Sequence, residues 1–270
     1  MPSREVYPQA PLRLVTAEFR FPLSPTLASG DLLSALSKVL GDALPIIEPV
    51  PKGLEVTFGA EPQPPRMTAS GFRLLSRNRT AAVTVGGSRL AVETTVYEHW
   101  ETFRNSIETA LRAIGDELQA IAGLDRVGLR YINEIRVPEA TTSAEGWMPY
   151  ISGDLLAPAR LAEGREIKTV QSALHLVTGD NDNDELLLRC GVFEGHVVDD
   201  SGPLRLPFPP EDGPFFLIDI DSFWTRLGAL EDFDSAAAVA IADRIHEPVD
   251  GLFERSITDR LREEVLRRKR

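Results

Sequence analysis

Between Gly71 and Ala122 the apolar pattern changes period, and that change limits the folds open to this chain. Three strand-like runs, Gly71 to Ser76, Thr80 to Val85 and Arg89 to Tyr97, stand close together. Asn78 suits the first connection and Gly86-Gly87-Ser88 the second, since glycine reaches positive φ without steric cost. Connections this short favour antiparallel over parallel pairing. Trp100, Phe103, Ile107, Ala110, Leu111, Ile114, Leu118 and Ile121 then recur every three or four residues. That spacing predicts a helix from about His99 to Ala122, with Gly123 as its stop. A meander followed by an amphipathic helix buries the helix stripe on a sheet face, so the expected class is α+β with mainly antiparallel strands.

The rest of the chain repeats this theme. Leu12 to Phe21 reads as a strand, Asp31 to Leu40 as a short helix, and Leu54 to Phe58 as a short strand before the Pro-rich loop Glu61 to Pro65. Arg126 to Val137 alternates, with Val127, Leu129, Tyr131, Ile135 and Val137 on one side, and is expected to be a central strand. Glu166 to Thr178 and Glu185 to Val198 form two further strand runs around the turn-rich Gly179 to Asp184, and Phe215 to Asp221 a third. From Ser235 to about Arg268 the stripe Val239, Ala242, Ile245, Val249, Leu252, Phe253, Ile257, Leu261, Val265 predicts a long terminal helix. Pro248 should kink or interrupt it, because proline removes a backbone donor and crowds the preceding turn. Residues 1–137 and 138–270 are thus expected as two sheet-plus-long-helix halves, or one continuous unit, with the boundary in 138–164.

Composition narrows the function classes. Apolar residues are 43% of the 270, enough to build a sizeable core. Twenty-nine basic against forty-one acidic side chains give a net charge of −12, which opposes non-specific binding to nucleic acid but leaves local basic patches open. The first fifteen residues carry three prolines and no apolar signal region, and no apolar run nears the roughly 20 residues that span a bilayer. A cytoplasmic protein without membrane contact is expected. The lone Cys190 excludes an intramolecular disulfide and lies in an apolar strand, as a small core residue would. His99, His175 and His196 have no Cys or His at zinc spacing, and no phosphate loop, dinucleotide fingerprint or nucleophile elbow is present. No cofactor is expected.

Gly128-Leu129-Arg130-Tyr131-Ile132-Asn133, together with His246, Phe253-Glu254 and Ile257-Thr258-Asp259, resembles a sporadically distributed family of uncharacterised prokaryotic proteins. Phe19-Arg20-Phe21-Pro22 and Leu217-Ile218-Asp219-Ile220-Asp221 extend that resemblance over most of the chain. The resemblance supplies no catalytic residues; a patchy distribution would suit an accessory or defence-related role.

Asn133, Arg130, Tyr131 and His246 are candidates for ligand binding. Asn133 shares the apolar phase of its strand with Tyr131, so it is either a satisfied core amide or a group lining a cavity. Arg130, Glu134 and Arg136 fall on the opposite phase, where pairing on an exposed face is the simpler expectation. His246 shares a helix face with Asp250 and Glu254, the spacing of a solvated row, of a metal site or of a general base held by a carboxylate. Asp219 and Asp221 point to one side of a strand and would suit a hard divalent cation if a third ligand joined them. The basic tail Arg260 to Arg270 complements a helix C-terminus or meets an acidic protein surface.

Three functions follow. The first is a non-enzymatic interaction protein that recognises another protein. The second is a small-molecule binder with a sheet–helix cavity containing Asn133, and the third a metal-dependent hydrolase or nuclease using Asp219 and Asp221.

Overall fold

The computed structural model describes residues 7–24, 27, 29–51, 69–118, 123–138, 143–163, 165, 167, 170–179, 183–198 and 201–268. The expected strand at Leu54 to Phe58, the loop at Glu61 to Pro65 and the last turn of the 99–122 helix lie outside them. The nine strands among the described residues join one antiparallel sheet: β1 (Leu12–Arg20), β2 (Ile46–Pro51), β3 (Ala69–Leu75), β4 (Ala81–Gly86), β5 (Arg89–Thr94), β6 (Arg126–Ile135), β7 (Gln171–Val177), β8 (Asp184–Glu194) and β9 (Pro214–Thr225). Their spatial order is β2-β3-β4-β5-β1-β6-β9-β8-β7. β6 therefore lies between β1 and β9, and joins the strands of 1–137 to those of 138–270 edge to edge. β2 is an element that the periodicity did not suggest, because Pro49 and Pro51 interrupt its pattern.

Helices α1 (Gly30–Leu40), α2 (Trp100–Leu118) and α4 (Ser235–Ser256) cover one face, while the short α3 (Ala144–Trp147) seats the fully buried Trp147 near Phe216. Ile107, Leu111 and Ile114 of α2 are fully buried, as are Val127 and Leu129 of the sheet below. Each such side chain contributes roughly 1.5–3 kcal/mol, so this layer dominates the stability of the fold.

The terminal helix departs from its sequence expectation twice. It runs through Pro248 without interruption and ends instead at Ser256. A proline costs a helix about 3 kcal/mol, and here Ile245 and Val249, both buried, flank it while the buried Ser222 donates to the Ile245 carbonyl at 2.6 Å. Burial on the sheet outweighs the proline. Ile257 is extended and bridges Ile151, and the Thr258 amide and hydroxyl donate to the carbonyls of Tyr150 and Pro149. Thr258 then caps α5 (Asp259–Leu261), which leads into a π-helical turn over Arg262–Leu266. Pairing with residues 150–152 defeats a helical stripe that the periodicity alone would continue.

Candidate functional site

The sequence candidates divide between the two faces of the sheet. On the helix side Tyr131 is 2% exposed, and its hydroxyl shares a 3.0 Å hydrogen bond with His246 Nδ1. The imidazole stacks on Trp100 with ring centroids 4.2 Å apart. Trp100 Nε1 donates to Asp243, which also receives Arg104 Nε at 2.9 Å, so α2, α4 and β6 are tied at one point. Asn133, two residues along β6 from Tyr131, is buried, and its Nδ2 donates to the Ile218 carbonyl at 3.1 Å. The row of His246, Asp250 and Glu254 separates: His246 turns to Tyr131, whereas Glu254 accepts from the Tyr7 hydroxyl and from Arg262. Burial, reinforced by Glu254, pushes the Tyr7 hydroxyl up to about 12.

The opposite face is polar. Arg130 grips Asp219 with two bonds of 2.8 Å, and Arg189 reaches the same carboxylate at 3.3 Å. Asp219 is 2% exposed, while both arginines are nearly half exposed. Asp221 pairs with Arg126, whose guanidinium also lies over the Phe223 ring. Both carboxylates proposed for a cation thus accept from guanidinium groups. Among the described residues no group of three His, Cys, Asp or Glu could hold a metal ion.

Next to this cluster the register aligns Arg89, Arg20 and Arg126 across β5, β1 and β6. Like charges directly opposite one another destabilise a sheet. They are held by Glu18, whose carboxylate lies 2.6, 3.5 and 3.6 Å from Arg20, Arg89 and Arg126. Gly128, opposite Glu18, leaves room for the Arg126 guanidinium where a Cβ would collide with it. Five arginines against three carboxylates (Glu18, Asp219 and Asp221) give this cluster a positive excess within a chain of net charge −12. Sequence reading finds Arg130 and misses the others, since cross-strand neighbours are far apart in sequence. The only local signal is Glu18-x-Arg20, two charges on one side of a strand.

Further along the same face Glu93 sits beside Arg73 and Thr84. Desolvation pushes its carboxyl up, against the pull of Arg73 and Arg89. A carboxyl raised by folding binds more protons in the native state, so its contribution to stability falls as pH rises above the ordinary carboxylate pKa. Glu93→Gln is therefore expected to gain stability relative to the parent as pH rises from the ordinary carboxylate pKa through the raised one. Urea midpoints across that range check this, and a pH-independent difference would count against it.

One expectation is corrected at the end of β6. Glu134 is fully buried, not paired on an exposed face. Arg136 Nε donates to it at 2.8 Å and the Val197 amide at 2.9 Å, and His196 and Asp212 complete the cluster. The β8–β9 connection closes over it and continues across the polar face, where Leu204 packs with Leu75 and Ala82. Of the tail arginines, Arg260 pairs with Glu264, and Arg262 pairs with Asp259 and with Glu254 of α4. Cys190 is buried, and desolvation pushes its thiol up to about 11. No described helix is long and apolar enough to cross a membrane. Comparison of the sequence with protein-family models and with curated proteins finds no match.

Proposed function

We propose that this protein is a non-enzymatic binding module that recognises an acidic segment of another protein through the arginine-bearing face of its sheet. The observation that carries this reading is the row Arg89, Arg20, Arg126 converging on Glu18 beside the Arg130–Asp219–Arg189 triad. Aligned like charges weaken a sheet in isolation, and an anionic partner relieves that repulsion. The carboxylates beneath hold the guanidinium groups in place, so less side-chain freedom is lost on binding. Exposure of Arg20, Arg89, Arg130 and Arg189 leaves donors for a second carboxylate.

The two-part organisation belongs to the same reading. Residues 1–137 bring β1 to β6 and the long helix α2, and residues 138–270 bring β7 to β9 and α4. β1 and β6 lie side by side at the centre of the sheet, where the arginines gather. The resemblance to a sporadically distributed prokaryotic family suits such an accessory role, in the cytoplasm.

A labelled oligoglutamate peptide tests the proposal by fluorescence anisotropy. Arg20→Gln and Arg189→Gln should each weaken binding about fivefold, the size of one exposed charged contact, and added salt should weaken it further. Unchanged affinity in both variants would remove the proposal. Tighter binding of a single-stranded oligonucleotide of equal charge would redirect it to nucleic acid.

A second reading rests on a recess of about 410 Å³ between α1 and α2 above β4 and β5, lined by Val39, Leu44, Val83, Val96 and Phe103. That volume suits a small apolar ligand. Asn133 does not line it, so the ligand would not meet the amide expected from sequence.

A further inference from the structure

The two edges of the sheet are unlike. β2 carries Pro49 and Pro51, residues that block strand addition, whereas β7 carries neither proline nor a Lys, Arg, Asp or Glu. β7 is exposed along most of its length, with Leu174 at 47% and Val177 at 59%. Its outward-facing backbone follows from the ladder with β8. Val192 N donates to the Val170 carbonyl and Thr178 N to that of Asp184, so even-numbered residues exchange bonds with β8. Alternation then turns the amides and carbonyls of Gln171, Ala173, His175 and Val177 outward. Among the described residues no other backbone group bonds them.

We propose that β7 pairs antiparallel with β7 of a second copy of this chain, in the register that sets Leu174 opposite Leu174. A two-fold axis generates this pairing, and a second copy presents the same edge. Only this register uses all four outward residues: Gln171 faces Val177 of the other copy and Ala173 faces His175. Centring on Ala173 or His175 leaves outward groups unpaired. Size also matches, since Ser172 meets Leu176 and Ala173 meets His175, small against large each time. The seam places no like charges in contact although the whole chain carries −12, because His175 is the one titratable group in β7 and is paired with Glu185 of its own chain at 2.6 Å. Leu174 occupies a non-hydrogen-bonded position on the two-fold, where opposing Cα atoms approach to about 4.5 Å.

Light scattering over a concentration series should report twice the chain mass. Ala173→Pro removes an outward amide and no bond to β8, so it should give a folded monomer; Leu174→Lys, which opposes two cations, should do the same. Leu174→Cys should form a disulfide-linked dimer under mild oxidation, because that separation falls within disulfide geometry, and Ala173→Cys should not. Cys190, buried, serves as the internal control. A single chain mass at every concentration, or equal cross-linking at both positions, would overturn the proposal. So would a dimer that persists in Leu174→Lys.

Discussion

Tyr131→Ala is expected to lower the stability of the protein by about 3–5 kcal/mol, the cost of deleting a large buried aromatic side chain. The ring is 2% exposed and meets Tyr97 edge-on at 5.9 Å, and its hydroxyl reaches His246. A truncation there empties the point where α2, α4 and β6 converge, and no neighbouring element is free to fill it. Tyr131→Phe separates the two contributions. It keeps the ring and loses the hydrogen bond, and should cost only about 1 kcal/mol. Urea unfolding measures both, and a midpoint and slope unchanged in Tyr131→Ala would show that the ring is not a core anchor.

Arg136→Ala should be comparably damaging, about 3–5 kcal/mol, for a different reason. It strands the Glu134 carboxylate, which is fully buried and keeps the Val197 amide as a partner while losing its charged one. Arg136 also donates to the Gly213 carbonyl and to that of Gly195, and covers the Phe215 ring, so the β8–β9 connection loosens at both ends. The double variant Glu134→Ala/Arg136→Ala removes the stranded charge and should recover a large part of the loss. If the double variant is less stable than Arg136→Ala by the full cost of a second truncation, packing and not charge sets the effect.

These two residues mark how far sequence reading reaches. Tyr131 stands on the apolar phase of an alternating run, and its burial and the central place of its strand are both legible from that phase. Glu134 and Arg136 stand on the polar phase of the same run, and phase alone assigns them to an exposed surface. A connection sixty residues later folds over them and reverses that assignment. Asn133 was legible as a buried amide in need of a partner, but that partner, the Ile218 carbonyl, belongs to a strand formed by pairing across the chain. His246 carried a visible helical row with Asp250 and Glu254; its partner is Tyr131, which no helical spacing relates to it.

The sequence by itself determined the α+β class, the antiparallel character of the sheet, most strand positions, and the apolar stripes of α2 and α4. Each is a local periodicity, set by side-chain geometry within one element. Tertiary structure alone decided that one sheet includes all nine described strands, that α4 passes Pro248 and stops at Ser256, and that three arginines align across β5, β1 and β6. Those outcomes depend on register between segments distant in sequence. A shift of one residue would send every side chain to the other face, and no local pattern records which register the buried core selects.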